Sequence, residues 1–141
     1  MKLSAQKNAF YFATNPLGAQ HDALIRDEGN NINLNWDGIW HVQSRRFDQG
    51  WSAEIAIPFQ TLRFHSGDNR IWGINFGRFI PRKKEESYWT PMLRSYSFFG
   101  RLKISSYGHL VGLPNICHGK RSQFMPYLIG GKNQEKGTSF A

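Results

Sequence analysis

Gly50-Trp51-Ser52-Ala53-Glu54-Ile55-Ala56-Ile57-Pro58-Phe59 alternates strictly until it meets a proline. Trp51, Ala53, Ile55 and Ile57 fall on one side, and Ser52, Glu54 and Ala56 on the other. A period of two over this length predicts a half-buried β-strand. Pro58 has no N–H to donate, so the ladder is expected to stop there and the chain to turn off the sheet. Phe59–Leu62 then reads as a single helical turn.

Working outward, Asp48-Gln49-Gly50 supplies a hairpin from a preceding strand at Ile39–Arg46. Further upstream, Ala9–Thr14 reads as a strand. Asn15-Pro16-Leu17-Gly18 reads as a turn, with proline presetting φ and glycine accepting positive φ. Gln20–Ile25 is its expected antiparallel partner, Arg26–Asn35 a polar loop, and Trp36-Asp37-Gly38 a tight turn. Downstream come a turn at Ser66–Asn69, one strand over Ile71–Ile80, a charged loop over Pro81–Pro91 that carries Trp89, and a last strand over Tyr107–Leu113. No helix longer than a turn or two is expected. Aromatic and β-branched runs broken by Gly, Asn, Asp and Pro suit an all-β domain.

The chain has 141 residues, enough for one domain, with 40% apolar and 15% aromatic content, enough to oppose disorder. Eighteen Lys and Arg against 10 Asp and Glu give a formal net charge of +8. A basic chain with interleaved aromatics invites a nucleic-acid reading, but no recognition helix, zinc finger or RNA-recognition motif accompanies the charge, and no nucleic acid is expected. Cys117 is the only cysteine, so no internal disulfide framework exists. Met1–Asn8 lacks the apolar core of a signal peptide, and no run has the length of a membrane-spanning helix.

The order of Trp51-Ser52-Ala53-Glu54-Ile55-Ala56-Ile57-Pro58-Phe59, Trp72-Gly73-Ile74-Asn75-Phe76, Trp89-Thr90-Pro91 and Phe99-Gly100-Arg101-Leu102, behind Thr14-Asn15-Pro16-Leu17-Gly18-Ala19-Gln20, resembles the C-terminal half of a family 9 carbohydrate-binding module. It is most similar to the version found at the N-terminus of bacterial outer-membrane proteins whose barrel-like remainder has no assigned function. The resemblance spans roughly residues 8 to 113. It implies an antiparallel, jelly-roll-like β-sandwich, a bound oligo- or polysaccharide, and a part in carbohydrate catabolism. Such modules place early strands ahead of this segment, so the sandwich is expected to be incomplete at its N-terminus. On this reading residues 1–114 are the partial sandwich, and 115–141 a linker and the start of the barrel-like region, which is the module's partner within its parent chain. The parent is expected in the periplasm or outer membrane.

Trp89 is the leading candidate for a ligand contact, because it stands outside any alternating pattern that would bury it. An indole stacks on the apolar C–H face of a sugar ring while its N–H stays free to bond. The resemblance adds that a tryptophan ahead of the final Phe-Gly-x-Leu strand walls the sugar site. The alternative is that Trp89 plugs the end of the sandwich. Asn75 and Arg78 are polar candidates beside it, Arg78 having a fork for vicinal hydroxyls; the alternatives are a sheet-edge bond for Asn75 and an ion pair with Glu85 or Glu86 for Arg78. Trp36 reaches the site or joins Trp40, Trp51 and Trp72 in the core.

Asp22, Asp27, Glu28 and Asp37 crowd an asparagine-rich region, and oxygen donors at this density are candidates for a structural calcium or a solvated Asx-turn loop. Catalysis is not expected. Glycoside hydrolysis needs two opposed carboxyls, and nothing fixes Glu54 against Asp22 or Asp37. An O-glycosyl hydrolase remnant stays as an alternative by association of such modules with hydrolases, and a structural domain that binds no sugar as another.

Overall fold

In the computed structural model residues 8–62, 64, 71–92 and 100–113 are described. The turn expected at Ser66–Asn69, Phe99 of the Phe-Gly-x-Leu motif, and the segment expected over 115–141 lie outside them.

Ala9–Thr14 (β1) and Gln20–Arg26 (β2) pair antiparallel, from Ala9 opposite Ile25 to Thr14 opposite Gln20. Asn15 closes the connection: its Oδ1 accepts from Leu17 N at 2.9 Å and Ala19 N at 3.2 Å, and its carbonyl accepts from Gly18 N at 2.9 Å. A side-chain amide that mimics a backbone acceptor is what makes asparagine a turn residue.

The polar loop after β2 holds more structure than its composition suggests. A 3-10 turn at Asp27–Gly29 reverses the chain, and Asn31–Asn33 (β3) pairs back onto β2. Asp27, Glu28 and Gly29 all have positive φ, at 49°, 58° and 93°. Glycine is required at the third position, since a Cβ there would stand 2.6 Å from Leu102 Cβ. Glu28 is held by its carboxylate, whose Oε2 accepts from Ser105 N at 3.0 Å.

His41–Phe47 (β4) and Gly50–Ala56 (β5) form the expected hairpin, with Phe47 opposite Gly50. The ladder ends before Pro58, and Thr61 N to Pro58 O (2.9 Å) and Leu62 N to Phe59 O (3.2 Å) wind the helical turn beyond it. The face of β5 that carries Trp51, Ala53 and Ile55 is only partly covered. Trp51 is half-buried, Ala53 exposed, and Ile55 42% exposed. Within the described residues this hairpin is a sheet of its own, with no third strand to roof it.

The strand expected over Ile71–Ile80 is two strands. Trp72–Ile74 (β6) pairs with Gly108–Leu110 (β9), whereas Gly77–Ile80 (β7) pairs with Glu85–Tyr88 (β8). The charged loop expected over Pro81–Pro91 therefore contains a strand. A 3-10 turn at Pro81–Lys83, with Lys84 left-handed at φ 51°, makes it a hairpin. The break falls at Asn75, whose Oδ1 takes up the N–H of Phe76 and of Thr90 in place of ladder bonds.

The β1–β2 pair is covered on both faces. Ile25 packs with Leu102 and Ile104, flanked by Ala9 and Tyr107. On the other face Phe10 and Phe12 meet Trp36, with ring centroids 5.1 and 5.8 Å apart, and Phe12 meets Trp40 at 5.3 Å. Trp40, 4% exposed, is the buried indole. Trp72 is half-buried against Phe59 and Phe64. The fold is all-β, built of several small antiparallel sheets and consistent with a β-sandwich-like architecture; among the described residues helical structure is confined to 3-10 turns, and no helix is long and apolar enough to cross a membrane.

Candidate functional site: an exposed aromatic face on the β7–β8 hairpin

The β7–β8 ladder runs one pair past the strands themselves. Trp89 N donates to Phe76 O at 2.9 Å, which sets Phe76 opposite Trp89 in the register that puts Gly77 opposite Tyr88 and Arg78 opposite Ser87. Side chains alternate across a sheet, and opposed residues share a face. Phe76, Arg78, Ile80, Glu85, Ser87 and Trp89 therefore lie on one face of the hairpin, and Phe79, Glu86 and Tyr88 on the other.

Trp89 is 58% exposed and Phe76 62% exposed, and their rings meet edge to face at 5.9 Å. The benzo edge of the indole rests on Gly108. A Cβ there would lie 2.5 Å from Trp89 Cζ3 and 3.1 Å from Thr90 Cγ2, so the seat exists only because β9 begins with glycine. Asn75 straps the connection below, its Oδ1 accepting from Phe76 N at 2.9 Å and Thr90 N at 3.1 Å. The indole is thus held by neighbouring backbone while most of its surface stays open. Among the described residues its N–H has no hydrogen-bond partner.

Arg78 is exposed on the same face. The carboxylates expected to compete for it are engaged elsewhere. Glu85 pairs with Lys83 at 3.9 Å, and Glu86 pairs with Arg101 at 3.4 Å while accepting the Tyr88 hydroxyl proton. Burial, with Glu86 second, raises the Tyr88 phenol above its ordinary value.

The sequence candidates thus divide. Trp89 and Arg78 come together on one exposed face. Asn75 lies directly under them, with its carbonyl oxygen committed to the backbone. Trp36 stands apart in the Phe10–Phe12 cluster, where its ring also crowds Gly38. Phe76 joins Trp89 without having been singled out from sequence, because its cross-strand position depends on where the Ile71–Ile80 run breaks.

The four carboxylates weighed for calcium are used separately. Asp22 Oδ2 accepts from Trp40 Nε1 at 2.9 Å and Gly38 N at 3.1 Å. Asp27 takes the Asn30 amide at 3.3 Å, and Glu28 takes Ser105 N. Asp37 is exposed. Among the described residues no group of three or more His, Cys, Asp or Glu side chains converges. Glu54 stands exposed opposite Gln43 on the β4–β5 hairpin.

Two concavities lie elsewhere. One, about 390 Å³, runs along the open edge of β1 and is lined by apolar side chains including Phe10, Phe12, Ile55, Ile57, Ile74 and Tyr107. The other, about 600 Å³, separates the Asn15–Leu17 turn from Arg46, Phe47 and Trp51 of the β4–β5 hairpin. No family model, curated protein or solved structure matches this chain.

Proposed function

We propose that this chain is a non-catalytic carbohydrate-binding domain of the family 9 kind, with Trp89 and Phe76 as its stacking surface and Arg78 as its polar anchor. One observation carries the reading: an indole more than half exposed, yet seated on Gly108 and strapped by Asn75. A large aromatic in water that is fixed in place gives up little freedom when a ring docks on it. Sugar rings offer an apolar face for the indole and hydroxyls for its free N–H. Asp22 serves as an internal acceptor and Glu54 stands alone on its hairpin, so the reading assigns binding rather than hydrolysis. The envelope setting, a periplasmic or outer-membrane parent engaged in carbohydrate catabolism, belongs to the same proposal and rests on the sequence resemblance. The apolar concavity along β1 favours a second reading, a structural domain of an outer-membrane protein, for which a cover over that edge would be the main task.

Calorimetric titration of the folded chain with cello- and xylo-oligosaccharides tests the first reading. Saturable binding is expected, with affinity about tenfold weaker or more in Trp89→Ala, matching the loss of one stacking contact of roughly 1.4 kcal/mol. Absence of binding by a folded chain refutes it and leaves the structural reading.

A further inference from the structure

We infer that the ligand of the Trp89 face is an acidic sugar chain, one whose residues carry carboxylates. The inference rests on the carbohydrate reading of that face and goes on to the class of sugar. Arg78 is the cation of the Trp89 face, which also carries the Ser87 hydroxyl and, further toward the hairpin tip, Glu85. Arg78 brings five N–H donors and no acceptor, and the Trp89 indole brings one more donor. The carboxylates and the Asn75 oxygen nearby each have partners of their own. Asn75 Oδ1 is filled by two backbone N–H groups, Glu85 is paired with Lys83, and Glu86 lies on the opposite face with Arg101 and Tyr88. Opposite Arg78 stands Ser87, which is uncharged.

Arg78 has no ion-pair partner among the described residues. A guanidinium in that position matches a carboxylate with two parallel bonds, each charge-assisted and stronger than a bond to a neutral hydroxyl. The surroundings point the same way. Arg82, Lys83 and Lys84 cap the far end of the same hairpin, all exposed, and the chain carries a net charge of +8. A chain with a repeated negative charge that stacks on Trp89 would meet cations both beside the indole and at the hairpin tip, and would be drawn in from solution.

The test is calorimetric titration of the full chain with an oligogalacturonate, with its fully methyl-esterified counterpart, and with a xylo-oligosaccharide of equal length. Esterification removes the charge and keeps the ring. The acid is expected to bind about tenfold more tightly than the ester at low salt, with a gap that narrows as salt rises. Arg78→Gln should close that gap, whereas Trp89→Ala should weaken all three ligands and keep the ratio of acid to ester. Equal affinity for acid and ester, or a preference that survives in Arg78→Gln, overturns the acidic-sugar inference and leaves carbohydrate binding standing. Binding of none of the three by a folded chain overturns both. Tighter, Trp89-dependent binding of a short oligothymidylate would also overturn both and reassign the face to single-stranded nucleic acid.

Discussion

Asn75→Ala separates a residue that touches ligand from one that holds the residues that do. The substitution removes the acceptor of two backbone N–H groups, Phe76 N at 2.9 Å and Thr90 N at 3.1 Å. Phe76 N is exposed, so water replaces its partner and the loss is roughly 0.5 kcal/mol. Thr90 N is part-buried, and an unmet donor there costs about 1 to 1.5 kcal/mol. The total is about 1.5 to 2 kcal/mol, to be read as a lower urea midpoint at unchanged slope, followed by tryptophan fluorescence. Asn75→Asp keeps an oxygen that accepts both bonds and replaces the NH2 group with a second oxygen that shares a negative charge. It should recover most of the stability, and with it the sugar affinity lost in Asn75→Ala. If alanine were as stable as asparagine, the strap would have no energetic weight. If aspartate kept stability but lost affinity for an uncharged xylo-oligosaccharide, the NH2 group would be a direct ligand contact and the positioning role would be wrong.

Asp22→Ala should cost about 3 kcal/mol, because it leaves the buried Trp40 indole N–H and the Gly38 N–H without their shared acceptor; a fall in midpoint worth less than about 1 kcal/mol would show that the carboxylate is not a structural tie. Burial, helped by Glu28 and Tyr11, pushes the Tyr107 phenol up to about 12. The unfolded chain loses that proton near pH 10, so this contribution to stability is full below pH 10 and fades as pH rises from there through 12, by at most about 2 kcal/mol. Urea midpoints of native protein and Tyr107→Phe should therefore converge over that interval, and parallel curves would refute the assignment.

The hairpin at Gly50–Ala56, the Asn15–Gly18 turn and the helical turn after Pro58 were legible because each is decided locally. Period-two alternation, an Asx side chain beside proline and a missing N–H act within a few residues, whatever the rest of the chain does. β3 and β8 were not legible. Asn-Ile-Asn and Glu-Glu-Ser-Tyr have no apolar alternation, and they are strands because β2 and β7 offer them free N–H and C=O groups. The Ile71–Ile80 run shows the converse. Its pattern reads as one strand, but Asn75 and the competing partners β8 and β9 divide it.

The same division runs through the candidate site. Trp89 could be singled out from its place outside any buried period, with Asn75 and Arg78 as polar candidates, but a plug at the end of the sandwich stayed open for Trp89 until its exposure was seen. Whether Arg78 is paired could not be read. Glu85 and Glu86 are equally near in sequence, and only the register and the approach of Arg101 from a distant segment decide that both are engaged elsewhere. Asp22 is the sharpest case: a carboxylate in an asparagine-rich region reads as a metal ligand or a solvated loop, yet Trp40, 18 positions away, turns it into a tie within the fold. By itself the sequence determined the all-β class and the hairpin alternation, because these follow from short-range steric and burial rules. The tertiary structure alone decided which polar groups are satisfied and which remain free for a ligand, because a hydrogen bond or ion pair between distant segments depends on where the backbone brings them and not on their spacing along the chain.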